Sequence, residues 1–305
     1  MGFNRIEAKI RAKTSIRLGK PSALRVSLVY LVLTALLSSV IRAFGLDLWE
    51  PLLYYIQRGY EMEEILNIIW SQYSGQIMLQ RAIGLVLGLY TTVMGFGYIS
   101  YTLRLARNED PGYTHLFDGF VKFWRVLWMN FLRYLFIALW TLLAMLPVFA
   151  LFVVLILTEA DEYALMGAGT LAVVWGAVAG VVVTLRYCLA EYFLLDDPSR
   201  TARTCITLSK KAMKGWKMER FTLSFSFLGW ALLGELLVAG LSEIWLVAGL
   251  VGMLLFNMWY MPYYWTTLAN FYDCVSGRAD PFPKGDSDWD SRMKDFNDAF
   301  DNPGL

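Results

Sequence analysis

Apolar positions along this chain gather into six long runs, roughly residues 22–43, 82–105, 127–157, 164–195, 221–241 and 246–272. Each run meets the ~20 residues that an α-helix needs to cross the hydrocarbon core of a bilayer. Backbone N–H and C=O groups in lipid must be satisfied within their own segment, so runs of this kind predict transmembrane helices. The expected fold class is all-α: a polytopic membrane protein whose residues 1–273 form a bundle of six transmembrane helices paired as three hairpins, with interfacial amphipathic helices beside it.

Shorter patterns predict those interfacial pieces. Between the first two runs, Trp49, Tyr54, Tyr55 and Ile56, then Glu61, Glu63 and Glu64, precede an apolar patch at 65–70. Aromatic residues at headgroup depth predict one or two helices lying on the membrane surface there. Leu116, Phe117, Phe120, Phe123 and Trp124 recur at three- and four-residue spacing and predict an amphipathic helix leading into the third run. In the stretch 198–214, Asp197 and Pro198 form a helix start and Gly215 a helix stop. Ala202, Ile206 and Met213 mark one face of that helix, and Arg200, Arg203, Lys210, Lys211 and Lys214 occupy much of the rest. The acidic tail, residues 274–305, carries Trp289, Met293, Phe296 and Phe300 at helical spacing among its aspartates. A short amphipathic helix that docks on protein is expected there.

Charge sets the orientation. All but Arg42, Arg58 and Arg81 of the 27 Lys and Arg residues lie on or near one side, that of the termini and one set of alternate loops. The excess of positive charge on cytoplasmic loops then places both termini in the cytoplasm and the protein in the plasma membrane as a multi-pass chain. The first apolar run is full length and reads as a retained span. At 57% hydrophobic and only 17% charged residues, the composition leaves no room for a separate soluble catalytic domain and gives no nucleic-acid-binding character. Cys188, Cys205 and Cys274 all fall toward the reducing side, so no disulfide framework is expected.

Candidate chemistry is sparse. No nucleophile elbow, phosphate-binding loop, dinucleotide fingerprint or paired-histidine metal motif occurs, so no catalytic residue, metal ligand or cofactor is assigned. The single histidine, His115, cannot build a metal site alone. Ionisable residues at membrane depth are costly, by ~2.5–3.5 kcal/mol when they face lipid, and Glu235, Arg133, Arg186 and Glu191 are the candidates. Pairing of Arg133 or Arg186 with Glu191 satisfies them structurally; a polar path near Glu235 is the transporter alternative. Gly84 with Gly88, and Gly176 with Gly180, are spaced for close helix contact, and Gly167 and Gly169 lie nearby. Pro147 and Pro262 are expected to kink their helices.

Four segments occur in a distinctive order: LRYCLAEYFLLDDP at 185–198, SKKAMKGWK at 209–217, FTLSFSFLGW at 221–230 and PYYWTTLANFY at 262–272. Together they resemble the bacterial integral membrane family known as domain of unknown function 975. The matching positions are Asp197 and Pro198; Ser209, Met213, Lys214, Gly215 and Lys217; Ser226, Phe227, Gly229 and Trp230; and Pro262, Tyr263, Thr267, Phe271 and Tyr272. Glu191 stands where the family often has proline. The resemblance implies a fold and no activity.

The leading functional expectation is a noncatalytic envelope protein rather than an enzyme. Membrane lipids, anionic ones in particular, would bind at Arg200, Arg203, Lys210, Lys211, Lys214 and Lys217. A protein partner would engage the same basic loop or the acidic tail. A small permease with its path near Glu235 is the alternative, and a lipid-modifying membrane enzyme the weaker one.

Overall fold

A computed structural model describes residues 3–43, 48–109 and 111–278, with the side chains at 35, 36, 38–43 and 246 excepted. The expected helix in the acidic tail, together with the side chain of Arg42, lies outside the described residues. What is described is all-helical, with no strand among the described residues: α1 (Arg5–Leu18), α2 (Ala23–Ala43), α3 (Trp49–Gln57), α4 (Met62–Ala106), α5 (Asp118–Val121), α6 (Phe123–Leu157), α7 (Glu162–Tyr187), α8 (Ala190–Asp196), α9 (Ala202–Ala212), α10 (Lys217–Ile244) and α11 (Leu246–Val275). All six apolar runs are helical. Four helices are long and apolar enough to cross a membrane: Met62–Ala106, Phe123–Leu157, Glu162–Asp196 and Lys217–Ile244. Their length and composition suit a membrane protein.

The core sits at one end of the bundle. Phe3 and Ala8 of the amino-terminal segment, Phe96 and Leu103 of α4, Val126 and Met129 of α6, Tyr187 at the end of α7, Cys205 and Ile206 of α9, Leu223 and Phe227 of α10 and Phe271 of α11 form one buried cluster. Away from this base, α6 and α7 pair with each other, as do α10 and α11. The indole N–H of Trp175 donates to the Ala144 carbonyl at 2.8 Å and helps to hold the α6–α7 hairpin. The base therefore fixes the helix origins, while the far halves leave most of their apolar side chains exposed for lipid.

Several local expectations change. The patch at 65–70 is not a separate surface helix but the first turns of α4, which runs unbroken for 45 residues. Glu64 accepts a hydrogen bond from the Glu61 backbone N–H at 3.3 Å, so the acidic cluster serves as a helix start that continues into the span. The amphipathic segment after α4 is broken into a 3₁₀ turn, Tyr113–Phe117, and the short α5, with Leu116 buried. Two glycines explain why that turn lies so close to α4. A Cβ on Gly97 would meet the Leu116 carbonyl oxygen at 1.8 Å, and one on Gly119 would meet the Val93 carbonyl oxygen at 2.2 Å. Of the glycines expected to mediate contact, Gly84, Gly88, Gly167 and Gly180 do not, since a Cβ there would meet nothing within 4 Å, whereas one on Gly176 would meet the Met145 sulfur at 3.2 Å and one on Gly169 the Phe152 ring at 3.9 Å.

The basic helix starts later than the Asp197–Pro198 pair suggests. Asp197 spends its carboxylate on a turn, accepting from the Ser199 N–H at 3.0 Å and pairing with Arg200 at 3.2 Å. The Ser199 hydrogen bonds hold its carboxyl below the usual carboxylate range. Thr201 caps α9 instead, its hydroxyl accepting from the Thr204 N–H at 3.3 Å. Gly215 does end the segment, with φ at 87°.

Candidate functional site

The chemistry at the base is built where α7 breaks into α8. Ser209, projecting from α9, accepts from the Leu189 N–H at 3.1 Å and donates to the Arg186 carbonyl at 3.2 Å, which satisfies the backbone groups that the break frees. The break turns Cys188, Glu191 and Tyr192 toward α6, α10 and α11. Glu191 meets Arg133 of α6 at 3.2 Å, with side-chain exposures of 12% and 14%. Arg186 does not join this pair; its guanidinium lies 5.3 Å from the Trp140 ring and 5.8 Å from the Tyr187 ring.

The Arg133–Glu191 pair divides two cavities. One, of about 260 Å³, is lined by Arg133, Thr184, Cys188, Glu191, Tyr192 and Arg220, among others. The other, of about 270 Å³, includes Tyr30, Thr91, Thr92, Tyr98, Asn130, Arg133 and Glu191. Several buried polar atoms at these walls have no hydrogen-bond partner among the described residues: Arg133 Nε, the Tyr192 hydroxyl and Asn130 Oδ1. Arg220 interacts with the Ser224 hydroxyl and with Tyr264 and Cys188, but no carboxylate pairs with it among the described residues. The first cavity thus carries two guanidinium groups against one carboxylate.

A second polar cluster closes the same base. Arg107, just past α4, reaches Asp273 of α11 at 2.6 Å and Asp196 of α8 at 3.0 Å. Asp196 also accepts from Arg278 at 2.9 Å and from the Tyr272 hydroxyl, and its side chain is only 2% exposed. Burial works against the charge on Arg107, but the hydrogen bond and charge of Asp273, followed by those of Asp196, outweigh it and hold its pKa above the ordinary guanidinium value. This clamp joins three elements far apart in sequence and is structural. Arg107, Asp196, Asp273 and Arg220 were not singled out from the sequence.

The motif residues collect around this base. Met213 is fully buried, Tyr272 stacks on Tyr192 at 4.9 Å, and Phe271 meets Phe3 edge-on at 5.1 Å. Phe227 is surrounded by Tyr260, Tyr263 and Tyr264, with the Lys9 ammonium 4.6 Å from its ring centroid. Ser226 bonds only its own helix, Gly229 has open space beside it, and Trp230 is half exposed against Trp259. Pro262 lies within a continuous α11. On α9 the buried side is Cys205, Ile206 and Ser209, while Arg203, Lys210, Lys211 and, beyond its end, Lys214 are exposed; Arg200 and Lys217 are half-buried.

Glu235 is exposed on the outer surface of α10 and lines neither cavity. The two polar cavities lie instead at Arg133 and Glu191, away from the residue on which the transporter alternative rests. His115 is held locally by Asp118, Nδ1 to Oδ2 at 3.2 Å, and Asp118 also accepts from Ser100 at 2.6 Å. Among the described residues no group of three or more His, Cys, Asp or Glu side chains could hold a metal ion.

The family described as "Protein of unknown function (DUF975)" matches residues 1–279. No curated protein and no solved structure matches the chain.

Proposed function

We infer that this chain, which belongs to the DUF975 family, is a noncatalytic lipid-binding protein of the plasma membrane. In this reading all six apolar helices cross the bilayer, α2 and α11 included, and the packed base faces the cytoplasm with both termini. The base collects α1, with Arg5, Lys9, Arg11, Lys13 and Arg17, and α9, with Arg203, Lys210 and Lys211, beside the α4–α6 connection and α8, in keeping with positive charge on the cytoplasmic side.

The observation that carries the reading is the two-sided construction of α9. Its apolar side is locked into the base, while Arg203, Lys210, Lys211 and Lys214 remain exposed beside Trp216, Met218 and the start of α10. A helix fixed in that position holds its cations at headgroup depth. Each basic residue near an anionic surface contributes roughly 1 kcal/mol, so four of them supply about 4 kcal/mol before salt screening.

The test is replacement of Arg203, Lys210, Lys211 and Lys214 by Gln, followed by quantification of lipid retained through purification. The variant should keep its fold and lose anionic lipid relative to zwitterionic lipid. Unchanged anionic lipid content would leave these residues only a role in setting topology.

A further inference from the structure

The cavity between α6, the α7–α8 break, α10 and α11 is more than a packing defect. Its volume, about 260 Å³, falls just below the ~300 Å³ at which sites for drug-sized ligands begin, so it suits one small polar group. Its wall is rich in donors and poor in acceptors. Glu191 is the one carboxylate among the lining residues, and it is already engaged by Arg133. Arg133 Nε and the Tyr192 hydroxyl are buried with no partner among the described residues, and Tyr192 is only 2% exposed. Arg220 enters from α10 with its charge unmatched by any carboxylate among the described residues.

Buried donors left unpaired cost about 1–3 kcal/mol each, and an uncompensated charge at membrane depth costs more. A ligand that supplies acceptors and negative charge removes both costs together. Guanidinium groups offer planar forks suited to oxyanions, and here two of them and a phenol come from separate helices. Donors converging from three elements match a tetrahedral oxyanion better than a planar carboxylate, which one guanidinium fork can satisfy alone.

We propose that this cavity is a binding site for a phosphate-class oxyanion, held by Arg220, the Tyr192 hydroxyl and the free Nε of Arg133, with Glu191 keeping Arg133 in position. The site rests on the membrane-embedded reading of the bundle but not on the lipid-binding role of α9. The oxyanion is either the headgroup of a phospholipid entering from the inner leaflet or a free phosphate from the aqueous side.

The test uses the full-length protein, delipidated in detergent, with binding read by native mass spectrometry and by thermal stabilisation. Inorganic phosphate, short-chain phosphatidic acid and acetate are the soluble probes, and diacyl phosphatidic acid in nanodiscs is the membrane probe. Wild type should bind phosphate-bearing probes and not acetate. Loss of one charge-assisted contact corresponds to roughly tenfold to hundredfold in affinity, so Arg220→Gln should fall by that factor. Tyr192→Phe, which removes only the hydroxyl and preserves the ring stack on Tyr272, should weaken binding several-fold with the fold intact. Binding of inorganic phosphate assigns a free anion, and binding of the diacyl probe alone assigns a headgroup; both support the site. The α9 Gln variant separates the two readings, because it should leave cavity binding unchanged. The proposal is overturned if no phosphate-bearing probe binds, if acetate binds equally well, if folded Tyr192→Phe and Arg220→Gln proteins bind like wild type, or if only the α9 variant abolishes binding.

Discussion

Glu191→Gln separates the energetic roles of the central ion pair. In the native protein its carboxylate lies 3.2 Å from Arg133, with both side chains under 15% exposed, so solvent screens the pair little. At an effective dielectric of ~20 the gross attraction at this separation is about 5 kcal/mol, most of it offset by desolvation. Removing one partner of a buried pair nevertheless costs about 3–5 kcal/mol, because the remaining charge is stranded. Arg133 would then keep the Tyr134 hydroxyl, at 3.2 Å, and a neutral amide oxygen in place of the carboxylate, with its charge uncompensated and Nε still unpaired. Glu191→Gln should therefore lower stability by roughly 3 kcal/mol, read as a fall of several degrees in the tryptophan-fluorescence melting curve. Arg133→Met combined with Glu191→Leu should recover most of that loss, since an apolar pair of similar volume avoids the desolvation of both charges. Inorganic phosphate should also stabilise the Glu191→Gln protein more than wild type, because the amide still holds Arg133 in position but no longer repels the bound anion, so Kd falls and the added stability, RT ln(1 + [L]/Kd), rises. The reasoning is refuted if Glu191→Gln melts like wild type, or if the apolar double variant is less stable than the single one.

Three further outcomes follow from the geometry. Arg107→Gln should cost about 3 kcal/mol and Asp196→Asn less, about 2 kcal/mol, because Arg107 keeps Asp273 in the second case while Arg278 is largely exposed; melting curves of the two variants check the order. Glu235→Gln should leave both expression and the melting curve unchanged, since Glu235 lines neither cavity; loss of folding would show a buried role that its exposure contradicts. A cysteine at 49 should react with an impermeant thiol reagent in intact cells and one at 214 should not, and the reverse pattern would invert the topology.

Apolar run length made the six long helices legible, because a span must bury every backbone group within itself and so leaves a continuous signal. Elements whose packing uses small residues left none. α1 buries Glu7, Ala8, Ala12 and Ser15, a face with no apolar stripe to read, and Asn270 donates to the Ala8 carbonyl at 3.0 Å. The basic loop was legible as an amphipathic helix, but its start was not, since both Asp197 and Thr201 are good caps and only the turn through Ser199 and Arg200 decides between them. The candidate site was half legible. Arg133 and Glu191 stood out as charges at membrane depth, whereas Arg220 sits at the mouth of an apolar run and reads as an ordinary flanking cation. Asp196 lies beside the more conspicuous Asp197, and its partners Arg107 and Tyr272 are 89 and 76 residues away, a juxtaposition that only the fold creates.

The central claim, that the base of this bundle binds anionic lipid, is tested most directly by headgroup competition. Native mass spectra of the wild-type protein equilibrated with equimolar phosphatidylglycerol and phosphatidylcholine should show bound lipid dominated by phosphatidylglycerol. The preference should collapse in the Arg203, Lys210, Lys211 and Lys214→Gln variant, which removes about 4 kcal/mol of unscreened attraction. Equal occupancy by the two lipids in the wild type would contradict the account.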